Sequence, residues 1–364
     1  MSVHFHSLRV SAVQPDAEAL LLSLDTRDLP EAERAAFHFE AGQYLTLRAE
    51  VGGEDLRRNY SICSAPAGPG TPAPLRVGIR QVPGGRFSNW ALNSLRPGDT
   101  LQVMPPDGRF VLRPDPQAQR HVLCIAAGSG ITPMMAILNT LLAGEPHSRA
   151  TLVYGNRSLA STMFRDELAG LKNRYLGRLA VHHVFSREAQ EVPLFNGRLD
   201  EARVLEFMHT LVPAASIDEA YVCGPAKMID AACAALALSG LSAEQVHVER
   251  FGDDLTPYGA SAHAALPGDA DHARVTLVMD GLERVIDCHQ SDASILDAGL
   301  RSGLELPYAC KGGVCSTCRG RVLEGQVRMD RNFALSEDEL AQGFVLCCQA
   351  HPLTPQVRIT LDQR

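Results

Sequence analysis

The sequence predicts a multidomain protein of 364 residues, with a small β-barrel first, a parallel α/β domain second and a compact α+β domain last. Three observations carry this. Short apolar runs separated by turn residues fill residues 1–116. Apolar strands then alternate with helical stretches through residues 117–251. Five of the ten cysteines crowd into the last 55 residues, 274–364 forming a separate segment behind a Gly, Ala, Pro and Asp-rich linker at 252–273.

In the first segment, Tyr44–Leu47, Leu75–Ile79 and Leu101–Val103 read as strands, punctuated by turns such as Pro97-Gly98-Asp99. In the second, His121–Ala126, Ala150–Tyr154, Val181–Phe185 and Ala220–Cys223 read as strands. Pro133–Leu142, Met163–Leu171 and Ala226–Leu238 read as helices. Val122–Gly144 carries no charge and approaches the length of a membrane span. Its three glycines, with Ser129, Thr132, Pro133 and Asn139, fit a buried strand, a turn and a buried helix better. The third segment opens on a hairpin, Val275–Met279 and Arg284–Cys288 around Asp280-Gly281, followed by a short helix near Ser294–Arg301.

The net charge of −8 argues against nucleic acid as a partner, because such proteins carry a basic stripe. The first 20 residues lack the basic start and apolar run of a secretion signal, so a cytoplasmic location and no membrane association are expected. In a reducing compartment, clustered cysteines bind metal more often than they form disulfides.

Cys310, Cys315 and Cys318 have the spacing C-x4-C-x2-C, the pattern of a plant-type [2Fe–2S] site. Two irons require a fourth thiolate, and Cys347 or Cys348 must supply it. Gly312 and Gly313 keep the loop free of side chains and allow N–H groups to turn inward. The rival reading, a structural zinc site, normally shows two C-x2-C pairs.

Two further clusters suit phosphate. Arg58-Asn59-Tyr60-Ser61 is followed by Gly84, Gly85, Arg86, Phe87 and Ser88. A guanidinium and free N–H groups suit a phosphate, and an aromatic face suits a planar ring. Ala127-Gly128-Ser129-Gly130-Ile131-Thr132-Pro133 follows a strand and opens a helix, which favours a diphosphate. Tyr221-Val222-Cys223-Gly224-Pro225 comes about one hundred residues later.

In this order the motifs resemble the ferredoxin–NADP reductase superfamily over residues 3–251, and plant-type ferredoxins, with their β-grasp fold, over 274–364. The resemblance implies FAD, an NAD(P)H donor and a [2Fe–2S] cluster. It implies that Arg58 binds the FAD pyrophosphate, that Tyr60 packs on the isoalloxazine and that Ser61 lies near its N5. Gly85, Arg86, Phe87 and Ser88 would donate N–H groups to phosphate. Gly128, Ser129, Gly130, Thr132 and Pro133 would hold the dinucleotide, and Cys223, Gly224 and Pro225 would lie beside the nicotinamide. Ser61, Cys223 and Glu249 are the implied catalytic residues. In His247-Val248-Glu249-Arg250-Phe251, Phe251 takes the place of the flavin-covering Tyr of plant-type reductases, a departure from their pattern. Ser186 and Arg187, assisted by Arg157, resemble a 2′-phosphate site and favour NADPH over NADH. A Gln directly after the fourth ligand, as in ferredoxins, selects Cys348.

The three-part layout is similar to reductase components of bacterial oxygenases. Stretches such as Phe5-His6-Ser7-Leu8, Tyr154-Gly155-Asn156-Arg157 and Leu306-Pro307-Tyr308-Ala309-Cys310 resemble the family of phenylacetyl-CoA epoxidase reductases. That resemblance implies a di-iron oxygenase as electron acceptor. The alternatives are a reductase for another ring- or steroid-hydroxylating oxygenase and, from a different class, a passive redox carrier or sensor. From Arg274 onward there are 12 acidic and 10 basic residues, so long-range steering to a partner is expected to be weak. Docking is expected to use local groups such as Lys311, Arg319 and Arg321.

Overall fold

The computed structural model describes residues 4–67, 75–251 and 265–363. The expected linker at 252–273 lies outside the described residues as far as 264. The chain divides into two compact units. The first comprises Phe5–Leu56 and Tyr60–Phe251, and the second comprises the C-terminal residues, grouped with Arg57–Asn59 and the N-terminus.

The first unit opens with strands β1 (His6–Asp16), β2 (Ala19–Asp25), β3 (Tyr44–Val51), β4 (Glu54–Ser61), β5 (Leu75–Arg80) and β6 (Thr100–Val103). Helix α1 (Glu31–Arg34) follows β2, and α2 (Arg86–Ser94) follows β5. The sheet order is β4-β3-β6-β1-β2-β5. A bridge between Ile62 and Val77 joins the two ends of that order and closes the barrel. Alternate side chains point inward, so Leu8, Val10, Leu22, Leu45, Leu47, Val77 and Ile79 fill the interior.

Residues 121–250 form a parallel sheet of β7 (His121–Ala127), β8 (Arg149–Asn156), β9 (Leu179–Phe185), β10 (Glu219–Gly224) and β11 (Val246–Arg250) in the order β11-β10-β7-β8-β9. Its helices are α3 (Ile131–Gly144), α4 (Arg165–Arg174), α5 (Glu201–Thr210) and α6 (Ala226–Leu238). The strands bury both faces. Val122, Cys124 and Ala126 pack with α3, while Leu123 and Ile125 pack with α5 and α6. The charge-free stretch Val122–Gly144 is thus strand, glycine turn and buried helix. No helix among the described residues is long and apolar enough to cross a membrane.

The second unit carries the antiparallel hairpin β12 (His272–Met279) and β13 (Leu282–His289), then α7 (Ile295–Arg301). After the cysteine loop come β14 (Arg319–Glu324), β15 (Val327–Met329), α8 (Glu337–Ala341), β16 (Phe344–Leu346), β17 (Ala350–Pro352) and β18 (Gln356–Thr360). The main sheet runs β13-β12-β18-β14-β16, with β12 and β18 parallel. Ser294 caps α7 by accepting the Asp297 N–H at 3.1 Å.

Two elements differ from expectation. Gly85–Ser88, where no helix was expected, is the start of helix α2, with Gly85 as its N-cap. The helix expected at Met163–Leu171 begins at Arg165 instead. Phe164 takes a left-handed φ of 57°, and the Asp16 carboxylate accepts its N–H at 2.7 Å, which fixes the later start.

Candidate functional site

The parallel sheet places three of the expected residues together. Cys223, one residue before the end of β10, is in register with Glu249 on β11 and Ala126 on β7. The Ser61 hydroxyl, at the end of barrel strand β4, donates to Glu249 Oε2 at 2.9 Å. Residues 188 positions apart thus meet at the carboxyl ends of the strands, where open α/β sheets bind ligands.

The electrostatics of this trio are set by enclosure. Burial pushes the Glu249 carboxyl up to about 8, and the Ser61 hydrogen bond opposes that rise. Burial, reinforced by the neighbouring Glu249, holds the fully buried Cys223 thiol well above its usual range. Cys223 is therefore a neutral, packed thiol rather than a nucleophile.

The Glu249 shift has a stability consequence. A carboxyl whose pKa is raised on folding favours the fold fully below its ordinary value of 4.5 and loses that contribution as pH rises through about 8. Glu249→Gln removes the loss. In thermal unfolding, the midpoint of the variant relative to the unmodified protein rises between pH 5 and pH 9, and a gap constant with pH would contradict the assignment.

The glycine turn after β7 is pressed against the β10 loop. A Cβ on Gly130 would lie 2.1 Å from the Cys223 carbonyl oxygen and 2.8 Å from the Gly224 nitrogen. No side chain fits there, so Gly130 joins the two expected nucleotide motifs into one surface. Gly128 takes a φ of 55°, and its carbonyl accepts the Tyr154 hydroxyl at 2.9 Å. Thr132 bonds to the Ser129 carbonyl at 2.9 Å, and Pro133 lies buried in the first turn of α3. Gly224 and Pro225 lead into α6. This cradle fits a dinucleotide diphosphate at a helix N-terminus.

The barrel supplies a second group of expected residues. Tyr60 packs on the buried Phe87 ring at 5.7 Å, and Phe87 meets Trp90 edge-on at 5.4 Å. Phe87 is therefore a core support for Tyr60, and any ligand contact it makes is through its backbone. The Ser88 hydroxyl accepts the Val82 N–H at 3.2 Å and holds the turn that starts α2. The first-turn N–H groups of α2 suit phosphate. The Arg86 side chain pairs with Glu54 and donates to the Val51 carbonyl at 2.8 Å. Arg58 lies on β4 and donates to the Arg57 carbonyl at 2.7 Å. Phe251, just past β11, packs on the same core as α3. An aromatic face, a guanidinium and free N–H groups fit a flavin dinucleotide.

Ser186 and Arg187 are exposed at the end of β9. The Arg187 N–H donates to the Arg157 carbonyl at 2.8 Å, which brings the three expected 2′-phosphate residues onto adjoining strand ends. Sequence reasoning missed Arg80 and Glu18. The Arg80 guanidinium lies over Gly128, where a Cβ would sit 2.2 Å from its Nη1.

In the second unit, the cysteine loop takes left-handed turns at Lys311 (φ 49°), Gly313 (φ 80°) and Ser316 (φ 50°). The thiols approach in two pairs, Cys310 with Cys315 and Cys318 with Cys348. A hydrogen bond from Cys315, with N–H groups of Gly312, Val314 and Cys315, holds Cys310 below the usual thiol range against the effect of burial. Among the described residues, no three Cys, His or carboxylate side chains converge on one ion. Two thiol pairs with inward N–H groups fit the four-thiolate set of a [2Fe–2S] cluster.

The clamps on this loop are visible. Lys311 pairs with Asp297 at 2.7 Å, and Gln349 Nε2 donates to the Lys311 carbonyl at 2.9 Å. Arg319 pairs with Glu339 at 3.3 Å and lies 3.9 Å over the Phe344 ring, and Arg321 donates to the Gln342 carbonyl at 2.9 Å. The expected docking residues Lys311, Arg319 and Arg321 are thus engaged within their own unit, Arg319 with 16% of its side chain exposed.

Known proteins match each part. Residues 13–112 match the oxidoreductase FAD-binding domain family, 124–234 the oxidoreductase NAD-binding domain family, and 277–353 the 2Fe-2S iron-sulfur cluster binding domain family. The chain is 44% identical over 360 residues to a component of the 1,2-phenylacetyl-CoA epoxidase of Escherichia coli, covering 99% of this chain and 98% of that one. It is 32% identical over 351 residues to the ferredoxin reductase component of 3-ketosteroid-9-alpha-monooxygenase of Mycobacterium tuberculosis, covering 96% and 92%. The solved structure of phthalate dioxygenase reductase is similar in fold, with a TM-score of 0.58, 20% identity and 98% of each chain covered.

Proposed function

Because this chain belongs to the ferredoxin–NADP reductase family of oxygenase reductases, we propose that it carries electrons from NADPH to a di-iron oxygenase acting on phenylacetyl-CoA. The reductase activity, with FAD, NAD(P)H and a [2Fe–2S] cluster, follows from the family. The choice of acceptor rests on the 44% identity that runs end to end with the Escherichia coli epoxidase component. A cytoplasmic location is supported by the ten cysteines, none of which is in a disulfide.

A bound flavin would supply the chemistry that matches a two-electron hydride donor to a one-electron cluster, because it can take up one hydride and give up electrons singly. The protein's share is positioning. Arg58 and the α2 N-terminus would hold the flavin phosphates, and Tyr60 and Phe251 would pack against its ring. Gly128 to Pro133 and Cys223 to Pro225 would hold the nicotinamide dinucleotide, near Ser61 and Glu249. Burial raises the Glu249 carboxyl toward its neutral form, and the Ser61 hydrogen bond fixes its position. Cys310, Cys315, Cys318 and Cys348 would hold the cluster.

The acceptor is tested by mixing the chain with each candidate oxygenase component. NADPH oxidation coupled to phenylacetyl-CoA epoxidation supports the reading. Coupling only to steroid hydroxylation would replace the substrate while leaving the reductase activity intact.

NADPH preference rests on Ser186, Arg187 and Arg157 at the β8 and β9 ends. Arg187→Ala is expected to raise the KM for NADPH by about tenfold, in line with a lost charge-assisted hydrogen bond. The KM for NADH stays unchanged. Equal losses with both nucleotides would contradict the 2′-phosphate role.

A further inference from the structure

The tip of the β1–β2 hairpin reaches the nucleotide cradle. Glu18 Oε2 accepts from Arg80 Nη2 at 3.3 Å and also from Arg157 Nη2. One carboxylate oxygen therefore lies between a guanidinium from the barrel and one from the parallel sheet. Arg80 also covers Gly128, the first glycine of the diphosphate turn. Arg157 Nε is buried and has no hydrogen-bond partner among the described residues. The Glu18 carbonyl accepts the Gln81 N–H at 2.9 Å, which fixes the backbone while the side chain stays 45% exposed.

We propose that Glu18 is a built-in competitor for a phosphate of the nicotinamide dinucleotide, occupying the position between Arg80 and Arg157 that the phosphate takes. Carboxylate and phosphate oxygens ask the same of a guanidinium, two N–H donors in a plane. Two arginines converging without an anion repel each other, so Glu18 holds the two guanidinia together. Ion pairs as exposed as this one are weak. A phosphate, with more charge and more acceptor oxygens, displaces the carboxylate, which swings into solvent while its backbone stays in the hairpin. Glu18 thereby sets nucleotide affinity without touching the reacting atoms, and its removal strengthens binding instead of weakening it. The inference rests on the NAD(P)H reading of the cradle and adds to it a residue that tunes nucleotide affinity and release.

The experiment is calorimetric titration of the FAD- and cluster-loaded protein and its Glu18→Gln and Glu18→Ala variants with NADP+, NAD+, 2′-AMP and ADP. Both variants are expected to bind NADP+ about threefold more tightly at low ionic strength, the size of effect a partly exposed ion pair gives. The gain shrinks at ~1 M salt, where the Debye length falls to about 3 Å. A gain shared with 2′-AMP but not ADP assigns the position to the 2′-phosphate. A gain shared by ADP and NAD+ assigns it to the diphosphate. Unchanged or weaker NADP+ binding in both variants overturns the proposal. Arg157→Ala separates the two levels of inference. If it weakens NADP+ binding while the Glu18 variants do nothing, only the competitor role fails. If it too has no effect, the phosphate reading of this corner of the cradle fails with it.

Discussion

Cys348→Ser is expected to abolish the iron–sulfur cluster, and Cys347→Ser to leave it in place. The two thiols are neighbours in sequence, yet their surroundings differ. Cys348 is paired with Cys318, completing the second of two thiol pairs. Cys347 is engaged through its backbone, its N–H donating to the Cys318 carbonyl and its own carbonyl accepting the Leu296 N–H, both at 3.0 Å. Its thiol lies in the apolar core of the second unit, where burial pushes it up to about 12. Loss of a direct thiolate ligand costs more than the roughly 10- to 100-fold that changes to groups merely holding the ligands cost. The Cys348 variant is expected to be near-devoid of iron and acid-labile sulfide while keeping its flavin bands. The Cys347 variant pays only for a buried hydroxyl, about 1–3 kcal/mol of stability, and keeps full iron content. Iron and sulfide analysis with visible spectra decides it, and the reverse outcome would move the fourth ligand to Cys347.

Gly130→Ala has the second largest expected effect. Its added Cβ would lie 2.1 Å from the Cys223 carbonyl oxygen and 2.4 Å from the carbonyl carbon. These are backbone atoms at the end of β10, in register with Glu249 and Ala126, so the clash cannot be relieved by a rotamer change. The glycine turn and the Cys223-Gly224-Pro225 loop must move apart. A displacement of about 1 Å in a positioning element costs on the order of 100-fold in rate. The kcat/KM for NADPH is expected to fall by about that factor, with flavin and cluster spectra intact. Overpacking also costs about 1–3 kcal/mol in stability. Near-normal NADPH oxidation by the variant would show that the two motifs do not form one site.

Much of this was legible in the sequence because the signals are local. The C-x4-C-x2-C spacing depends on one loop, and alternating buried strands and helices declare the parallel sheet through their composition. The meeting of Ser61, Cys223 and Glu249 was readable only through resemblance, since nothing local brings residues 188 positions apart together. Helix α2 was missed because Gly84, Gly85 and the polar Ser88 and Asn89 look like turn residues. In the structure Asn89 instead donates to the Val82 carbonyl at 3.0 Å and helps anchor the helix start. Arg80 and Glu18 were invisible for a different reason. Glu18 and Arg157 are 139 residues apart, and only the packing of the barrel against α3 brings them together. The Phe344 ring and Glu339 that hold Arg319 were equally invisible, because sequence shows a charge but not its neighbours in the fold.

Electrons are expected to pass within one chain from nicotinamide through flavin to the cluster. Anaerobic titration of the purified protein with NADPH, followed at the flavin and iron–sulfur bands together, checks this path. Both sets of bands are expected to bleach, with an end point near roughly 1.5 NADPH per chain, two electrons for the flavin and one for the cluster. Bleaching of the flavin alone, at about one NADPH per chain and with the cluster still oxidised, would contradict the path.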